Sequence, residues 1–351
     1  MDFIIDHKRF KKKFRENELL KYSNKKNRVI KFPYYEKSYH NFFTSYAKEK
    51  YKLISNNCLC GFDNDILLSQ TDRHCVNFIT VACKSCGLIR AKEYYRNDDI
   101  VDFYKNHYRT KNYDESYIDK KPADFFYEQK KSSKFRYDLL EKYKIKPMNN
   151  LKIVDLGGGA GGILDHFDKS NERYLVDYFD PYLDYAKTKN IKIIKGGLEK
   201  IDFKPDVIIL SHVIEHWNNF DYEIKKLIKI QKPNSTLNYI EFPGIDSLKT
   251  GRREGDILGD IHVPHVYYFA SYVFENLMNR YGFKKIYLDS LIKSIFIYTG
   301  EQKNLINYFD LCKKDLLIAE KARNIQIFKN IIKLFIPNFI IVFLRKIRNK
   351  K

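Results

Sequence analysis

The sequence predicts an α/β protein with a doubly wound parallel sheet, preceded by a small cysteine-rich module. From residue 151 onward, short apolar runs alternate with amphipathic segments, which is the pattern of a parallel sheet covered by helices on both faces. Five glycines fall within residues 157–162, directly after the first apolar run. Five of the six cysteines fall between residues 58 and 86. A chain of 351 residues is long enough to hold both units.

Each element follows from its own pattern of apolar residues. Buried strands are predicted at 151–157, 173–179, 191–196, 206–212 and 237–244, and a hairpin-like pair of strands at 284–291 and 293–300. One helix is predicted to begin in the segment 161–167, and three more are predicted at 181–190, 219–231 and 270–283. Pro181 suits the first turn of its helix because the fixed φ of proline is compatible with that position.

The chain divides into five segments by composition. We expect a basic N-terminal arm (1–54), a zinc-binding module (55–95), a helical connector (96–147), the α/β domain (148–300) and a basic amphipathic C-terminal helical tail (301–351). Pro147 and the asparagine pair after it end the connector.

The positive charge is concentrated at the two ends of the chain. Residues 1–50 hold 14 Lys and Arg against 6 Asp and Glu, and residues 301–351 hold 12 against 4. A protein that grips a nucleic acid through its catalytic domain usually carries a basic face there, so a nucleic-acid partner is disfavoured. Basic ends suit an anionic membrane surface, although a solvated arm or a tail packed on the protein's own body explains them equally well.

The N-terminal sequence contains no apolar stretch of signal-peptide length, and no segment has the 18 to 20 apolar residues of a spanning helix. We therefore expect a cytoplasmic protein, peripheral at most on the inner face of the membrane. Cysteines stay reduced in that compartment, and a metal site is then favoured over disulfides.

An acidic residue follows the glycine-rich turn at the sequence spacing that is typical of nucleotide-binding folds. Asp177 ends the second predicted strand, about 20 residues after the turn, where a carboxylate accepts hydrogen bonds from both ribose hydroxyls. Asp180 is a competing choice, but it lies three residues beyond the strand end. Enzymes that bind dinucleotides share this geometry, so the turn alone does not identify the nucleotide.

Several motifs, in order along the chain, indicate which nucleotide cofactor is bound. "VDLGGGAGG", "VDYFDPYLDYAK", "GGLEKI", "DVIILSHVIEHW" and "HVPHVYYFASYVFENLMNRYGF" together resemble class I S-adenosylmethionine-dependent methyltransferases over residues 151–300. The resemblance implies a Rossmann-like seven-stranded sheet and S-adenosyl-L-methionine as cofactor. The implied cofactor residues are Asp155, Gly157, Gly159, Gly161, Asp177, Leu198 and His212. Gly197 stands where relatives usually carry an acid for the adenine amino group, a departure that puts this contact in doubt; Glu199 and backbone carbonyls are the candidates to replace it.

Two cysteine pairs predict a structural zinc site. Cys58 and Cys60 form the first pair, and Cys83 and Cys86 form a Cys-x-x-Cys pair about 22 residues later. Because the first pair is one residue tighter than usual, Cys75 or His74 remains an alternative to Cys58. Four thiolates leave no open position for a substrate. With this module, the chain resembles zinc-module methyltransferases of polysaccharide and deoxysugar biosynthesis, related in layout to sugar C-methyltransferases.

Methyl transfer to a hydroxyl requires a base, and histidine is the usual one near neutral pH. His265 is our first candidate and His262 the second, with Glu215 and His216 as further candidates that more often shape a pocket. We expect these residues at the rim of the sheet. Arg252 and Arg253 are expected to clamp a phosphate of the acceptor.

The sequence thus predicts transfer of a methyl group to a sugar, a nucleotide sugar or a lipid-linked glycan, most simply at a hydroxyl. One alternative is an RNA methyltransferase with an N-terminal zinc module. The other is a non-catalytic scaffold docked at a membrane.

Overall fold

The predicted fold class is confirmed by a computed structural model, which describes residues 37–108 and 121–335. The strands are β1 (Leu53–Ser55), β2 (Asp65–Thr71), β3 (Asn77–Cys83), β4 (Ile89–Ala91), β5 (Glu93–Tyr95), β6 (Lys152–Leu156), β7 (Glu172–Asp177), β8 (Lys192–Lys195), β9 (Val207–Ser211), β10 (Leu237–Glu241), β11 (Tyr267–Tyr268), β12 (Phe283–Leu288) and β13 (Lys293–Tyr298). The α-helices are α1 (Lys37–Asn41), α2 (Ala47–Lys50), α3 (Asn97–Asn106), α4 (Pro122–Lys142), α5 (Asp180–Lys187), α6 (Phe220–Lys229), α7 (Ser271–Arg280) and α8 (Phe309–Phe335).

The central sheet has seven strands in the order β12-β13-β10-β9-β6-β7-β8. Strands β6 to β10 are parallel to one another, and β13 runs antiparallel to both of its neighbours. The chain order reverses between β6 and β9, and in such sheets ligands bind at the carboxyl ends of the strands next to that reversal. The fold therefore places the segments after β6, β7, β8, β9 and β10 along one edge.

The cysteine-rich module and the α/β domain share a second sheet. Its order is β11-β4-β3-β2, so a strand from the α/β domain completes the sheet of the N-terminal module. Tyr267 pairs with Arg90 and Tyr268 with Ile89 in antiparallel register. The boundary predicted at residue 95 therefore divides the sequence but not the fold, because backbone hydrogen bonds between β4 and β11 join the module to the α/β domain.

The segment after the glycine turn differs from its prediction. It forms a short 3₁₀ helix, Gly162–His166, where a longer helix was expected. Helix α4 packs against this short helix, with the backbone of Phe126 so close to Gly162 that a Cβ there would lie 2.3 Å from a carbonyl oxygen. The connector thus supplies the helical layer that the turn segment itself does not provide. Helix α4 ends at Lys142, before Pro147.

The first half of helix α8 packs on the α/β domain. Cys312, Leu316 and Ala319 are buried, and Asp315 accepts a 2.7 Å hydrogen bond from Lys249. Cys312 is therefore a core residue, as expected. Among the residues that the structure describes, no helix is long and apolar enough to span a bilayer. The end of the basic tail and most of the basic arm lie outside the described residues.

Candidate active site

The glycine turn forms a tight cradle at the carboxyl end of β6. Gly157, Gly159 and Gly161 all have positive φ, a conformation that costs glycine nothing and other residues much. A Cβ on Gly158 would lie 2.2 Å from a carboxyl oxygen of Asp155, and one on Gly159 would lie 2.8 Å from the side-chain amide of Gln129. Side chains at these two positions would collide with Asp155 and Gln129, so the packing around the turn requires glycine there.

Asp177 lies against this turn, although 18 residues separate it from Gly159. Its carboxylate accepts a 2.9 Å hydrogen bond from the backbone N–H of Gly159. It also accepts hydrogen bonds from the N–H groups of Tyr178 and Phe179, at 2.7 and 3.0 Å. The carboxyl group is thereby fixed between the glycine turn and the end of β7. This position fits the ribose contact that the sequence predicts, whereas Asp180 is exposed and pairs with Lys195.

Asp155 lies beneath the turn and is 3% exposed. Burial raises the pKa of its carboxyl to about 7; the nearby Arg136 opposes this rise and Asp177 adds to it. Arg136 extends from α4 and donates a hydrogen bond to Glu241 at the end of β10. Tyr239 donates a second hydrogen bond, of 2.8 Å, to the same carboxyl group. The acids along this sheet edge are thus held by a fixed guanidinium and a buried phenol.

The segment after β8 offers an apolar residue and a glutamate on the expected adenine side. Leu198 is buried. Glu199 accepts a 3.1 Å hydrogen bond from the backbone N–H of Gly197 and lies 3.5 Å from Lys226. Burial raises the pKa of the neighbouring Tyr178 hydroxyl to about 12. The carboxylate expected to replace the missing acid is therefore close to Gly197, but it is already paired with a lysine.

His212 begins the segment after β9 in a strained backbone conformation. Its φ is +57°, an unusual value for a residue with a side chain. Its backbone N–H donates to the carbonyl of Glu241 at 2.7 Å, and its side chain is 51% exposed. Nδ1 lies 3.3 Å from Oε1 of Glu215. Burial opposes the charged ring, but the hydrogen bond to Glu215 and nearby carboxylates outweigh it and raise the pKa of His212.

The other candidate histidines surround the same glutamate but are more deeply placed. The ring centroid of His265 lies 4.7 Å from that of His216 and 3.8 Å from that of His262. Burial, and then the charge of neighbouring groups, lowers the pKa of His262 and His265 well below the ordinary value. The structure thus brings the four predicted catalytic residues together with His212, and His212 is the histidine most open to solvent.

The N-terminal module holds the segment that carries His262 and His265. The Tyr39 hydroxyl accepts a 2.7 Å hydrogen bond from the N–H of Val263, and the Tyr94 hydroxyl donates to the carbonyl of Pro264 at 3.1 Å. On the other side, the N–H of Val266 donates to the carbonyl of Glu215 at 2.8 Å. The histidine segment is therefore fixed between the module and the β9 segment. Tyr39 and Tyr94 were not singled out by the sequence.

The four cysteines Cys58, Cys60, Cys83 and Cys86 come together in the module. Sulfur-to-sulfur distances are 3.4 Å from Cys60 to Cys58, 3.5 Å from Cys58 to Cys86 and 3.6 Å from Cys60 to Cys83. Thiolates around one zinc ion, each about 2.3 Å from it, lie about 3.8 Å apart. The cluster thus has the dimensions of a tetrahedral site that could hold a metal.

Both alternatives to Cys58 lie away from this cluster. His74 accepts a 2.9 Å hydrogen bond from Nε of Arg73. The backbone N–H of Cys75 donates to the carbonyl of Asp72. The tighter Cys-x-Cys pair therefore takes part in the cluster without help from either residue.

The predicted phosphate clamp needs correction. Arg252 binds Asp260 through two guanidinium nitrogens, one of them at 2.7 Å, and also donates to the carbonyl of Gly244 at 2.9 Å. Arg253 lies 3.6 Å from the same carboxylate. These contacts hold the loop after β10 in place, because Asp260 is buried and needs a compensating charge. Arg252 is thus a structural partner of Asp260.

Helix α4 adds a residue that sequence reasoning did not identify. The side-chain amide of Gln129 donates to the carbonyl of Gly158 at 3.0 Å and accepts from the N–H of Ala160 at 3.0 Å. Gln129 thus fixes the backbone of the glycine turn from above. A glutamine within a helix has no sequence signature for this role.

A cradle of glycines, a buried acid at the end of the next strand and polar residues after β9 are features of Rossmann-like nucleotide-binding enzymes, among them methyltransferases. The family model described as a methyltransferase domain matches residues 111–288, just over half of the chain. The chain belongs to this family and is an S-adenosylmethionine-dependent methyltransferase. No curated protein matches the chain.

Solved structures of methyltransferases are similar to parts of the chain. An S-adenosylmethionine-dependent methyltransferase from Aquifex aeolicus is 15% identical, with a TM-score of 0.36; the match covers 51% of this chain and 96% of that one. Magnesium protoporphyrin IX methyltransferase from Synechocystis PCC 6803 is 14% identical, with a TM-score of 0.40 and coverage of 57% and 98%.

Proposed function

We propose that this enzyme transfers a methyl group from S-adenosylmethionine to a hydroxyl of a sugar, carried by a nucleotide, a lipid or a growing surface glycan. The observation that carries the reaction class is the His212–Glu215 pair at the carboxyl edge of the sheet, 3.3 Å apart. The sugar class is supported by the order of a four-cysteine module and a methyltransferase domain in one chain.

The donor side consists of residues that the sequence already singles out. The glycine cradle fits a cofactor that approaches the backbone closely, and the fixed carboxylate of Asp177 fits its ribose. When bound, S-adenosylmethionine supplies a methyl group on a positively charged sulfur, and its transfer leaves a neutral thioether. Asp155, Gly157, Gly159, Gly161 and Leu198 complete the cofactor site in this proposal.

On the acceptor side, we assign the proton-accepting role to His212. Its side chain is half exposed, whereas those of His265 and Glu215 are 12% and 2% exposed. A base must reach the hydroxyl from which it takes the proton. Glu215 accepts from Nδ1 of His212, which leaves Nε2 as the acceptor atom for the substrate proton. The acceptor oxygen then forms its bond to the methyl carbon, and the sulfur keeps the electron pair of the bond that breaks.

The cysteine cluster has a structural role in this proposal. A zinc ion held by Cys58, Cys60, Cys83 and Cys86 would tie the loop between β1 and β2 to the turn between β3 and β4 and so support the sheet that β11 completes. Because β11 follows His265 directly, the zinc supports the histidine segment without touching the substrate.

The proposal places the enzyme in the cytoplasm, with its basic ends near the anionic inner face of the membrane where lipid-linked glycans are assembled. The basic charge at the ends of the chain supports this placement. Of the two rivals, an RNA methyltransferase predicts steeply salt-dependent RNA binding, and a scaffold predicts no turnover.

Mass spectrometry of surface glycans from cells with and without the gene tests the proposal. We expect one glycan component to lose 14 mass units, the mass of one methylene group, in cells without the gene. Unchanged glycans, together with loss of a methyl mark from RNA, would instead support the RNA methyltransferase.

A further inference from the structure

A second group of metal-ligand atoms lies at the edge of the sheet, outside the cysteine module. Oε1 of Glu215 lies 3.7 Å from Nε2 of His216 and 3.9 Å from Nε2 of His265. The three ligand atoms all lie within 4.8 Å of one another. The side chains are 2%, 15% and 12% exposed, so the group is nearly enclosed. A carboxylate and two imidazoles converge here on one small space.

The hydrogen bonds of His216 fix which of its nitrogens faces that space with a lone pair. Its Nδ1 lies 2.8 Å from the carbonyl oxygen of Pro264, which can only accept a hydrogen bond. The Tyr104 hydroxyl lies 2.9 Å from the same Nδ1 and can accept a share of its hydrogen bond. With the hydrogen on Nδ1, Nε2 of the neutral ring presents a lone pair towards the Glu215 carboxylate. Two acceptors that face each other at this distance call for a positive charge between them. Metal-bound histidines almost always donate their second N–H to a carbonyl or carboxylate in this way.

Two buried polar atoms, one in Glu215 itself and one in His262 beside His265, are not satisfied by hydrogen bonds of the described residues. Oε2 of Glu215 and Nδ1 of His262 have no hydrogen-bond partner among the described residues. Buried polar atoms without partners are uncommon, because each costs free energy of folding. A cation beside Glu215 would stabilise the buried carboxylate directly.

We infer that Glu215, His216 and His265 bind a divalent transition-metal cation. Imidazole and carboxylate ligands suit zinc, iron(II), cobalt(II) or manganese(II), whereas a site of four thiolates favours softer metal ions. Three protein ligands leave at least one position for a water or a substrate oxygen, as in catalytic metal sites. The inferred site thus differs in chemistry from the cysteine cluster.

The role of the ion rests on the proposed function, whereas its binding does not. A hydroxyl of the acceptor in the open position would lose its proton more readily, because the cation stabilises the alkoxide. The proton passes to His212, whose Nδ1 lies 3.3 Å from the same Glu215 oxygen that faces the two other histidines. Ion and base would then act on one hydroxyl group.

Metal content and cobalt(II) spectroscopy test the site in the full-length protein. Wild-type protein is purified, its metal content is measured by plasma mass spectrometry, and cobalt(II) is added. Cobalt bound by imidazole and carboxylate gives weak visible bands, whereas thiolate ligands add intense charge-transfer bands. We expect wild-type protein to hold one ion more than Glu215→Gln or His265→Gln, with no change in thiolate bands. Glu223→Gln, in helix α6, is the matched control and should hold the same metal as wild type.

Equal metal content and equal visible bands in wild type, Glu215→Gln and His265→Gln would overturn the inference. If Glu215→Gln fails to fold, as judged by circular dichroism, His265→Gln decides the question. Calorimetry with S-adenosylhomocysteine on the same samples separates this inference from the proposed function. If wild-type protein binds S-adenosylhomocysteine but holds no additional ion, the metal site alone is overturned. If it holds the additional ion but does not bind S-adenosylhomocysteine, the proposed cofactor site alone is overturned.

Discussion

Oε1 of Glu215 lies 3.3 Å from Nδ1 of His212, a residue that the sequence motifs assign to the cofactor and not to the role of base. The pair depends on the positive φ of His212, which begins the turn between β9 and the 3₁₀ segment Ile214–His216. Backbone strain of this kind costs on the order of 1–3 kcal/mol and persists where the surrounding structure enforces it. This conformation turns the chain sharply at the end of β9, and the proposal that His212 acts as the base rests on its exposure and its contact with Glu215.

Replacement of His212 tests its assigned role in the chemical step. We expect His212→Gln to lower kcat by about 10²–10⁴, because a glutamine cannot take the proton from the acceptor. Binding of S-adenosylhomocysteine should change little. Single-turnover assays and calorimetry measure the two effects. His107→Gln, in the connector, is the control, and a His212→Gln enzyme with wild-type turnover would exclude the assignment.

Asp177 is expected to dominate cofactor affinity. Asp177→Asn keeps the size of the side chain but removes the charge that strengthens its hydrogen bonds. A hydrogen bond to a charged group contributes about 1.5–3 kcal/mol, so S-adenosylhomocysteine should bind roughly 10- to 150-fold more weakly. Isothermal titration calorimetry measures the affinity. Asp180→Asn, three residues away and exposed, should bind as wild type does; equal losses in both variants would contradict the ribose assignment.

Asp155 makes stability depend on pH in a definite direction. Burial raises the pKa of its carboxyl to about 7, so the folded protein holds this proton more tightly than the unfolded chain does. The free energy of unfolding therefore falls as pH rises from about 4 to 7 and is flat above that range. Between pH 5 and 7 the Asp155 contribution amounts to about 2 kcal/mol.

Asp155→Asn should remove the contribution of Asp155 to the pH dependence of the free energy of unfolding and leave the contributions of the other titrating groups unchanged. Urea denaturation of wild type and variant at pH 5 and pH 7 measures it. We expect the variant to lose less stability than wild type between the two pH values. Equal losses would show that Asp155 has no raised pKa in the folded protein.

The cysteine cluster predicts a difference between two cysteines of the same module. Cys83→Ser should bind one zinc ion fewer than wild type and melt at a lower temperature, because metal binding contributes directly to folding. Cys75→Ser should keep the metal, since Cys75 lies outside the cluster. Plasma mass spectrometry and thermal melts provide the readouts. Loss of zinc in Cys75→Ser but not in Cys83→Ser would restore Cys75 as a ligand.

The sequence predicted the sheet well because its strands are buried on both faces and therefore read as continuous apolar runs. It also predicted the position of Asp177, since the distance between the glycine turn and the next strand end is set by the length of one helix-containing connection. The helix predicted to begin in the segment after the turn is only a short 3₁₀ helix, Gly162–His166. There the space beside Gly162 is taken by helix α4, a long-range contact that local periodicity does not contain.

The sequence ranked His265 first, whereas the reason to prefer His212 lies in long-range contacts that local sequence does not contain. Exposure separates His212 from His265, and it arises from the pairing of β11 with β4 and from the contacts of Tyr39 and Tyr94 with the histidine segment. Those contacts join residues more than 160 positions apart. Spacing along the chain indicates that histidines meet at one edge, but burial decides which of them a substrate can reach.

The most direct test measures where the methyl group goes. Purified enzyme is incubated with S-adenosylmethionine labelled in its methyl group, together with nucleotide sugars, lipid-linked glycans and RNA from the same cells, each in a separate reaction. We predict that wild-type enzyme, but not His212→Gln, places label on a sugar hydroxyl, recovered as an O-methyl sugar after hydrolysis. Label in RNA would contradict the proposed sugar acceptor, and equal labelling of glycan by the His212→Gln variant would contradict the role of His212 as the base.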